Sequence, residues 1–255
     1  MSARVRHLYV HLPFCAHRCG YCDFVTVVGR EDWHGRYVDA LLAELELERS
    51  RLDDRVETVF LGGGTPTLTD GAELRRLIDA LPVAGEVTVE ANPETVTAAL
   101  ARLLREAGVT RVSLGAQSFQ PELLDVLERR ASPDAVRRAF YHLRDASFDN
   151  ISLDLLHGIP GQSTAALERD IDEALGLAPE HVSYYELEAK PGTRFAHAAC
   201  VTRWRSKLGA KDEVLVDRSG RGYGDDYSPW LVEGRVGDLV RVRGAEVTEE
   251  GIRAA

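Results

Sequence analysis

His7-Leu-Tyr-Val-His-Leu-Pro-Phe-Cys15-Ala-His-Arg-Cys19-Gly-Tyr-Cys22 holds the start of the fold and the first chemistry of this chain. Leu8 to Leu12 is apolar and reads as a strand, and Pro13 closes it. Immediately after come three thiols on one loop, with three residues and then two between them, close enough to wrap one cuboidal iron–sulfur cluster. A protein normally closes such a cluster with four cysteines, so with three, one iron has no protein ligand and can take a small molecule. A zinc loop is the alternative, with a fourth ligand drawn from His17 or His11.

Outward from this loop, five more short runs read as strands: Thr58 to Leu61, Glu86 to Glu90, Arg111 to Leu114, Asn150 to Leu155 and His181 to Tyr185. They are largely apolar, as in parallel strands covered on both faces. Helical patterns separate them. Tyr37, Val38, Leu41, Leu42 and Leu45 share one face, Leu74, Leu77, Ile78 and Leu81 another, and Val96, Leu100, Leu103 and Leu104 a third that ends before Gly108 as C-cap. Further helices are predicted over about Pro121 to Arg130, Pro133 to Asp145, and Ser163 to Leu177 with Ser163 as N-cap. A right-handed strand–helix series of this kind curls into an open, partial version of the eight-unit barrel, a (β/α)6 α/β fold whose chemistry sits at the C-terminal strand ends. The unusual polar residues fall there: Cys15, the turn Gly62-Gly63-Gly64-Thr65, Glu90, Gln117 and Asp154. Residues 1–198 are expected to form this core, and 199–255, with shorter strands at Glu213 to Asp217, Pro229 to Glu233 and Leu239 to Arg243, a small β module.

The 255 residues are 44% hydrophobic and 28% charged, which is globular, and no apolar run reaches the length of a spanning helix. The N-terminus shows no apolar core or cleavage site of an export signal, so the expected location is the cytoplasm. A net charge of -10 argues against broad binding to nucleic-acid backbone. Cys200 stands apart from the other three cysteines and reads as an ordinary free thiol.

The Cx3CxxC loop after a first strand, with Tyr21 before the last cysteine, resembles the radical S-adenosylmethionine (SAM) superfamily. The resemblance implies a [4Fe–4S] cluster on Cys15, Cys19 and Cys22, with SAM on the open iron, cleaved by electron transfer to methionine and a 5′-deoxyadenosyl radical. Five ordered motifs narrow it: Leu8 to Cys15, Phe60 to Thr67, Val89-Glu-Ala-Asn-Pro-Glu94, Ser113 to Phe119 and Asp154-Leu-Leu-His-Gly-Ile-Pro160. Together, over roughly three quarters of the chain, they resemble the HemW haem chaperone family, a relative of oxygen-independent coproporphyrinogen III oxidase. That resemblance assigns Gly63, Gly64 and Thr65 to the amino-acid end of SAM, Arg129 to its carboxylate, Glu90 and Asp154 to ribose hydroxyls, and Gln117 and Tyr9 to further SAM contacts. In the residues themselves, a glycine turn also reads as a tight turn, Asp154 as half of a structural ion pair, and Tyr9 as a strand aromatic. His11, His157 and Tyr184 are expected to face the barrel mouth, within reach of a porphyrin. The partners implied are haem or a porphyrin, a haem-acceptor protein, and an electron donor such as flavodoxin or ferredoxin.

Two departures matter. The oxidases resemble CxxxCxxCxC, whereas Phe24 occupies the position of their last cysteine, which favours the chaperone branch over a decarboxylating oxidoreductase. The His-Asn…Tyr-Trp motif that the HemW family carries beyond its barrel does not appear after Ala198. The segment Lys211 to Gly244 weakly resembles instead a TRAM module, the small RNA-binding barrel of radical SAM methylthiotransferases, with Arg218, Arg221, Arg241 and Arg243 as candidate phosphate contacts.

Overall fold

The computed structural model describes residues 4–196, 205–218, 220–223, 229–248 and 251–255, without the side chains of Asp217, Arg218 and Tyr223. It forms two compact units, Met1–Leu187 and Glu188–Ala255. The expected boundary at 198/199 and Cys200 lie outside the described residues.

In the first unit the elements run β1 (His7–Leu12), β2 (Phe14–Cys15), β3 (Val27–Val28), α1 (His34–Glu48), β4 (Val56–Gly63), α2 (Gly71–Ala80), β5 (Ala84–Ala91), α3 (Ala98–Glu106), β6 (Arg111–Gln117), α4 (Pro121–Val126), α5 (Pro133–Asp145), β7 (Ile151–His157), α6 (Thr164–Gly176) and β8 (His181–Glu186). One sheet takes β1, β4, β5, β6, β7 and β8 in that order, every neighbouring pair parallel. Each connection therefore steps to the adjacent strand, as a singly wound partial barrel requires. β2 and β3 pair in parallel on their own and bracket the cysteine loop.

Alternation along the strands separates the two faces. Val59, Leu61, Val89, Ala91, Val112, Leu114, Ile151, Leu153 and Leu155 are buried in one core with Leu74, Leu77, Leu104, Val136, Phe140 and Leu143 of the helices. Each such side chain contributes about 1.5–3 kcal/mol by leaving water. The intervening positions, Tyr9, His11, Glu90, Ser113, Ser152 and Asp154, line the concave face. Side-chain caps fix the helix starts: Asp70 Oδ1 accepts from Ala72 N at 3.0 Å, Thr97 from Leu100 N at 3.1 Å, Ser132 from Ala135 N and Ser163 from Ala166 N, both at 3.2 Å.

Two expectations are corrected. The helix read over Pro121 to Arg130 stops at Val126, because Glu128 takes a left-handed conformation (φ 55°) and Arg129 N closes back on Leu124 O at 2.9 Å. Arg129 therefore leaves the helix on a turn. His157 and Tyr184 do not face the barrel mouth. His157 shares the parity of Ile151, Leu153 and Leu155, and Tyr184 that of the core-facing Val182, so the two rings stack on each other at 4.9 Å on the helix side.

In the second unit β9 (Lys211–Arg218), β10 (Arg221–Tyr223), β11 (Pro229–Leu231), β12 (Leu239–Thr248) and β13 (Gly251–Ala254) close a five-stranded barrel in the order β10-β11-β13-β12-β9. Val214, Val216, Trp230, Val232 and Ile252 fill it. Three of these strands, β9, β11 and β12, fall on the expected segments; β10 and β13 were not expected. The arginines proposed for phosphates are engaged already: Arg241 Nε lies 2.7 Å from Glu213, Arg243 donates to Gly209 O at 3.1 Å, and Arg221 also has a partner, while the Arg218 side chain lies outside the described residues. Among the described residues no helix is long and apolar enough to cross a membrane.

The loop after β6 is held by one buried carboxylate. Asp170 of α6, 1% exposed, accepts from Phe119 N and Ser118 Oγ, each at 2.7 Å, and from Gln120 Nε2 at 3.2 Å. Asp170→Ala strands these donors and is expected to lower stability by about 3 kcal/mol in urea unfolding. A loss below about 1 kcal/mol would show that the loop does not depend on it.

Candidate functional site

The concave strand ends meet the cysteine loop around a cavity of about 380 Å³ whose wall includes Cys15, Cys19, Cys22, Gly63, Gly64, Thr65, Glu90, Gln117, Arg129 and Asp154. Ten of the eleven residues singled out in the sequence thus come together. The exception is Tyr9, which is 58% exposed on β1, gives its hydroxyl to His11 Nδ1 at 3.0 Å, and is not on the cavity wall.

The loop is anchored at its start. Phe14 is buried with its ring 4.3 Å from His34 and 5.4 Å from Tyr37, and the Tyr37 hydroxyl donates to His11 O at 3.0 Å. Cys15 is buried against this anchor, its Sγ 3.6 Å from Thr65 Oγ1, and burial pushes its thiol upward despite that hydrogen bond. Cys22 N closes on Cys19 O at 3.2 Å, and burial raises the Cys22 thiol too, with the Phe24 amide pulling against it. His11 has both ring nitrogens engaged, Nδ1 by Tyr9 and Nε2 by Val25 O at 3.0 Å, which removes it as a fourth zinc ligand. Among the described residues no three His, Cys, Asp or Glu side chains converge on a single-ion position.

Gly63 N donates to Glu90 Oε2 at 3.0 Å, Gly64 N to Leu12 O at 2.9 Å and Thr65 N to Phe14 O at 2.7 Å, so all three amides are spent inside the protein. The glycines are required by close approach. A Cβ on Gly63, where φ is +115°, would lie 2.6 Å from the His11 ring, and one on Gly64 would lie 2.6 Å from the Pro13 backbone. The turn thus locks β4 against β1 and the cysteine loop.

Two carboxylates face the cavity from neighbouring strands. Glu90 is pushed up to about 7, mainly by burial, with Gly63 N pulling it down and Asp154 adding repulsion. Burial raises Asp154 as well, opposed by Ser183, Ser113 and Ser152; Ser113 Oγ reaches both of its oxygens, at 3.0 and 2.9 Å. Gln117 enters through a bulge: its φ is +66°, and the register with β7 shifts between Gly115 and Gln117, which swings its side chain into the cavity. Arg129, beyond the shortened α4, places Nη2 2.8 Å from Gly115 O and 2.9 Å from Asn92 Oδ1, and Nη1 3.7 Å from Cys19 Sγ, while its buried Nε has no partner among the described residues. Asn92 and the serines around Asp154 were given no role by the sequence reading. Asn92 stands inside the quoted Val89 to Glu94 motif, but its partners are far away in the chain.

The model of the radical SAM superfamily matches residues 9–174, and the chain belongs to that superfamily. Its cofactors are a [4Fe–4S] cluster and SAM. More narrowly, the chain is 40% identical over 222 residues to the haem chaperone HemW of Mycobacterium tuberculosis, covering 83% of this chain and 56% of that protein. It is 39% identical over 196 residues to HemW of Escherichia coli, covering 74% and 52%. The chain thus spans about half the length of the curated relatives it matches. Among solved structures, coproporphyrinogen III oxidase (HemN) from Escherichia coli, a radical SAM enzyme, superposes with a TM-score of 0.69 at 27% identity over 76% of this chain and 46% of that one. The radical SAM methyltransferase TsrM of Kitasatospora setae shares the fold, with a TM-score of 0.61 at 17% identity over 82% of this chain and 42% of that one. The residues present suit the superfamily's cofactors: three thiols line one wall, and the orphaned Nε of a buried guanidinium fits a missing anionic partner.

Glu90 gives a pH signature. A carboxyl raised from about 4.5 to about 7 binds more protons folded than unfolded across that window, so stability without cofactor falls as pH rises through it. Glu90→Gln keeps an acceptor for Gly63 N and removes the charge. Relative to wild type it is expected to gain about 2–3 kcal/mol at pH 8 and nothing at pH 4, in urea unfolding across the range. Parallel pH profiles would contradict the raised carboxyl.

Proposed function

We propose that this chain is a radical SAM [4Fe–4S] protein of the HemW type, working in the cytoplasm as a haem chaperone that binds haem and passes it to an acceptor protein. The observation that carries the reading is the single cavity on which three thiols, a buried arginine and two protonatable carboxylates converge, in a chain 40% identical to a haem chaperone. Residues 1–198 are proposed as the functional core and 199–255 as an appended module.

In this reading Cys15, Cys19 and Cys22 hold the cluster, which, when bound with SAM and supplied by an electron donor such as flavodoxin or ferredoxin, can pass an electron to the sulfonium. Arg129 supplies the positive charge for the SAM carboxylate. Because the amides of Gly63, Gly64 and Thr65 are already used, this turn suits the ammonium of SAM, a donor, better than an anion. Glu90 and Asp154 accept from ribose hydroxyls, and Gln117 reaches the remaining polar edge. Phe24 and Tyr185, both exposed and both on the cavity wall, offer flat apolar surface to a porphyrin face. Phe24 stands where the oxidase pattern has its further cysteine, which supports a chaperone over a decarboxylating oxidoreductase.

The test is anaerobic. The full chain is reconstituted with iron and sulfide, given haem and SAM, and followed by haem absorbance and 5′-deoxyadenosine release. Stoichiometric haem binding with little release is expected. No haem binding together with substrate-dependent release would overturn the chaperone reading in favour of an enzyme. Cys19→Ser is expected to lose most of the cluster's visible absorbance while keeping its far-ultraviolet circular dichroism, since the thiol lies on a loop outside the core; full absorbance in that variant would remove Cys19 from the ligand set.

A further inference from the structure

Asn92 occupies the N-cap position of the short helical turn Pro93–Thr95, the place where asparagine ordinarily caps with its side chain, yet it makes no side-chain cap bond. Its amide is turned to the cavity wall instead. Nδ2 lies 2.9 Å from Thr65 Oγ1, and Oδ1 accepts from Arg129 Nη2 at 2.9 Å. The orientation is fixed by chemistry. A guanidinium can only donate, so the carbonyl oxygen must face Arg129 and the NH2 must face Thr65.

The polarity then propagates. Thr65 Oγ1 accepts from Asn92, and toward Cys15 as a cluster thiolate, which can only accept, it gives its own hydroxyl proton to Sγ, 3.6 Å away. On the other arm Arg129 Nη1 points at Cys19 Sγ at 3.7 Å. A single side chain thus directs one hydrogen-bond donor at each of two thiols, across a chain separation of 110 residues for the Arg129 arm. Thr65 is buried, and Arg129 is held further by Gly115 O, with Tyr21 and Glu94 beside it.

We propose that Asn92 is a positioning residue for the cluster: it orients Thr65 and Arg129 so that the sulfurs of Cys15 and Cys19 each receive a hydrogen bond, which tunes the cluster's reduction potential and its retention. Donors to ligand sulfur favour the more negative, reduced cluster and raise its potential, and outer partners of this kind hold metal through their orientation of the ligands. The proposal rests on the reading of Cys15, Cys19 and Cys22 as cluster ligands.

The test compares reconstituted full-length wild type with Asn92→Ala, Thr65→Val and the double variant, without SAM, by anaerobic redox titration and by the rate of iron loss to a chelator. Asn92→Ala is expected to move the potential to lower values and to lose iron about tenfold faster. Thr65→Val, which is isosteric, removes the Cys15 arm and the acceptor of Asn92 Nδ2 but leaves the Asn92–Arg129 bond; it is expected to shift both in the same direction by less, and the double variant to go no further than Asn92→Ala. Wild-type potential and iron loss in Asn92→Ala, beside a normally loaded wild type, would overturn this proposal alone; so would a shift in Asn92→Ala to which the Thr65→Val change simply adds. A wild type that takes up no cluster would overturn the ligand reading itself and this proposal with it.

Discussion

Arg129 carries a charge that proteins do not remove, and carries it into a buried site, so the groups around it must make up for lost water. Burial works against the charged form, while Tyr21, Cys19 and Glu94 favour it strongly enough that the balance stays on the charged side. Gly115 O and Asn92 Oδ1 complete the cage. These partners come from three segments: Cys19 and Tyr21 from the cysteine loop, Asn92 and Glu94 from the turn after β5, and Gly115 from the bulged end of β6. One buried cation therefore ties together the three segments that must agree in position for a cluster and a cofactor to share one cavity. Removing it would leave donors and acceptors facing each other across an empty space, and the site would lose its registry before the sheet lost its core.

The sheet meets the site through strand parity. One set of side chains on each strand packs against the helices, and the other set is delivered to the concave face, which explains why Glu90, Ser113 and Asp154 line up beside one another without any local sequence relationship. The glycine turn and the β6 bulge are the two places where the regular pattern is broken, and both breaks serve the site. The turn brings β4 within backbone contact of the cysteine loop, and the bulge turns Gln117 inward.

Much of this was legible in the sequence. Six parallel strands announce themselves by largely apolar runs, and Ser163 caps its helix as its type suggests, because both signals are local. The strand-end rule also gathers the candidate residues onto one cavity, since it depends only on chain order. What was not legible depends on parity or on distance. His157 was placed one face away from where it lies, because a strand read as wholly apolar gives no phase. α4 was read too long because the left-handed Glu128 that ends it is not a residue type that advertises such a conformation. The role of Asn92 requires Thr65 and Arg129 at once, and nothing in the neighbourhood of residue 92 names either. The amides of Gly63, Gly64 and Thr65 are taken up by Glu90, Leu12 and Phe14, and only the fold supplies those acceptors.

The central claim is that three cysteines hold a cluster with one iron left open to SAM. Mössbauer spectroscopy of protein reconstituted with isotopically enriched iron, recorded with and without SAM, tests it most directly. The account predicts a [4Fe–4S] spectrum in which SAM alters one iron and leaves the remaining three unchanged. A cluster whose irons are all indifferent to SAM, or a protein that retains no cluster at all, would contradict it.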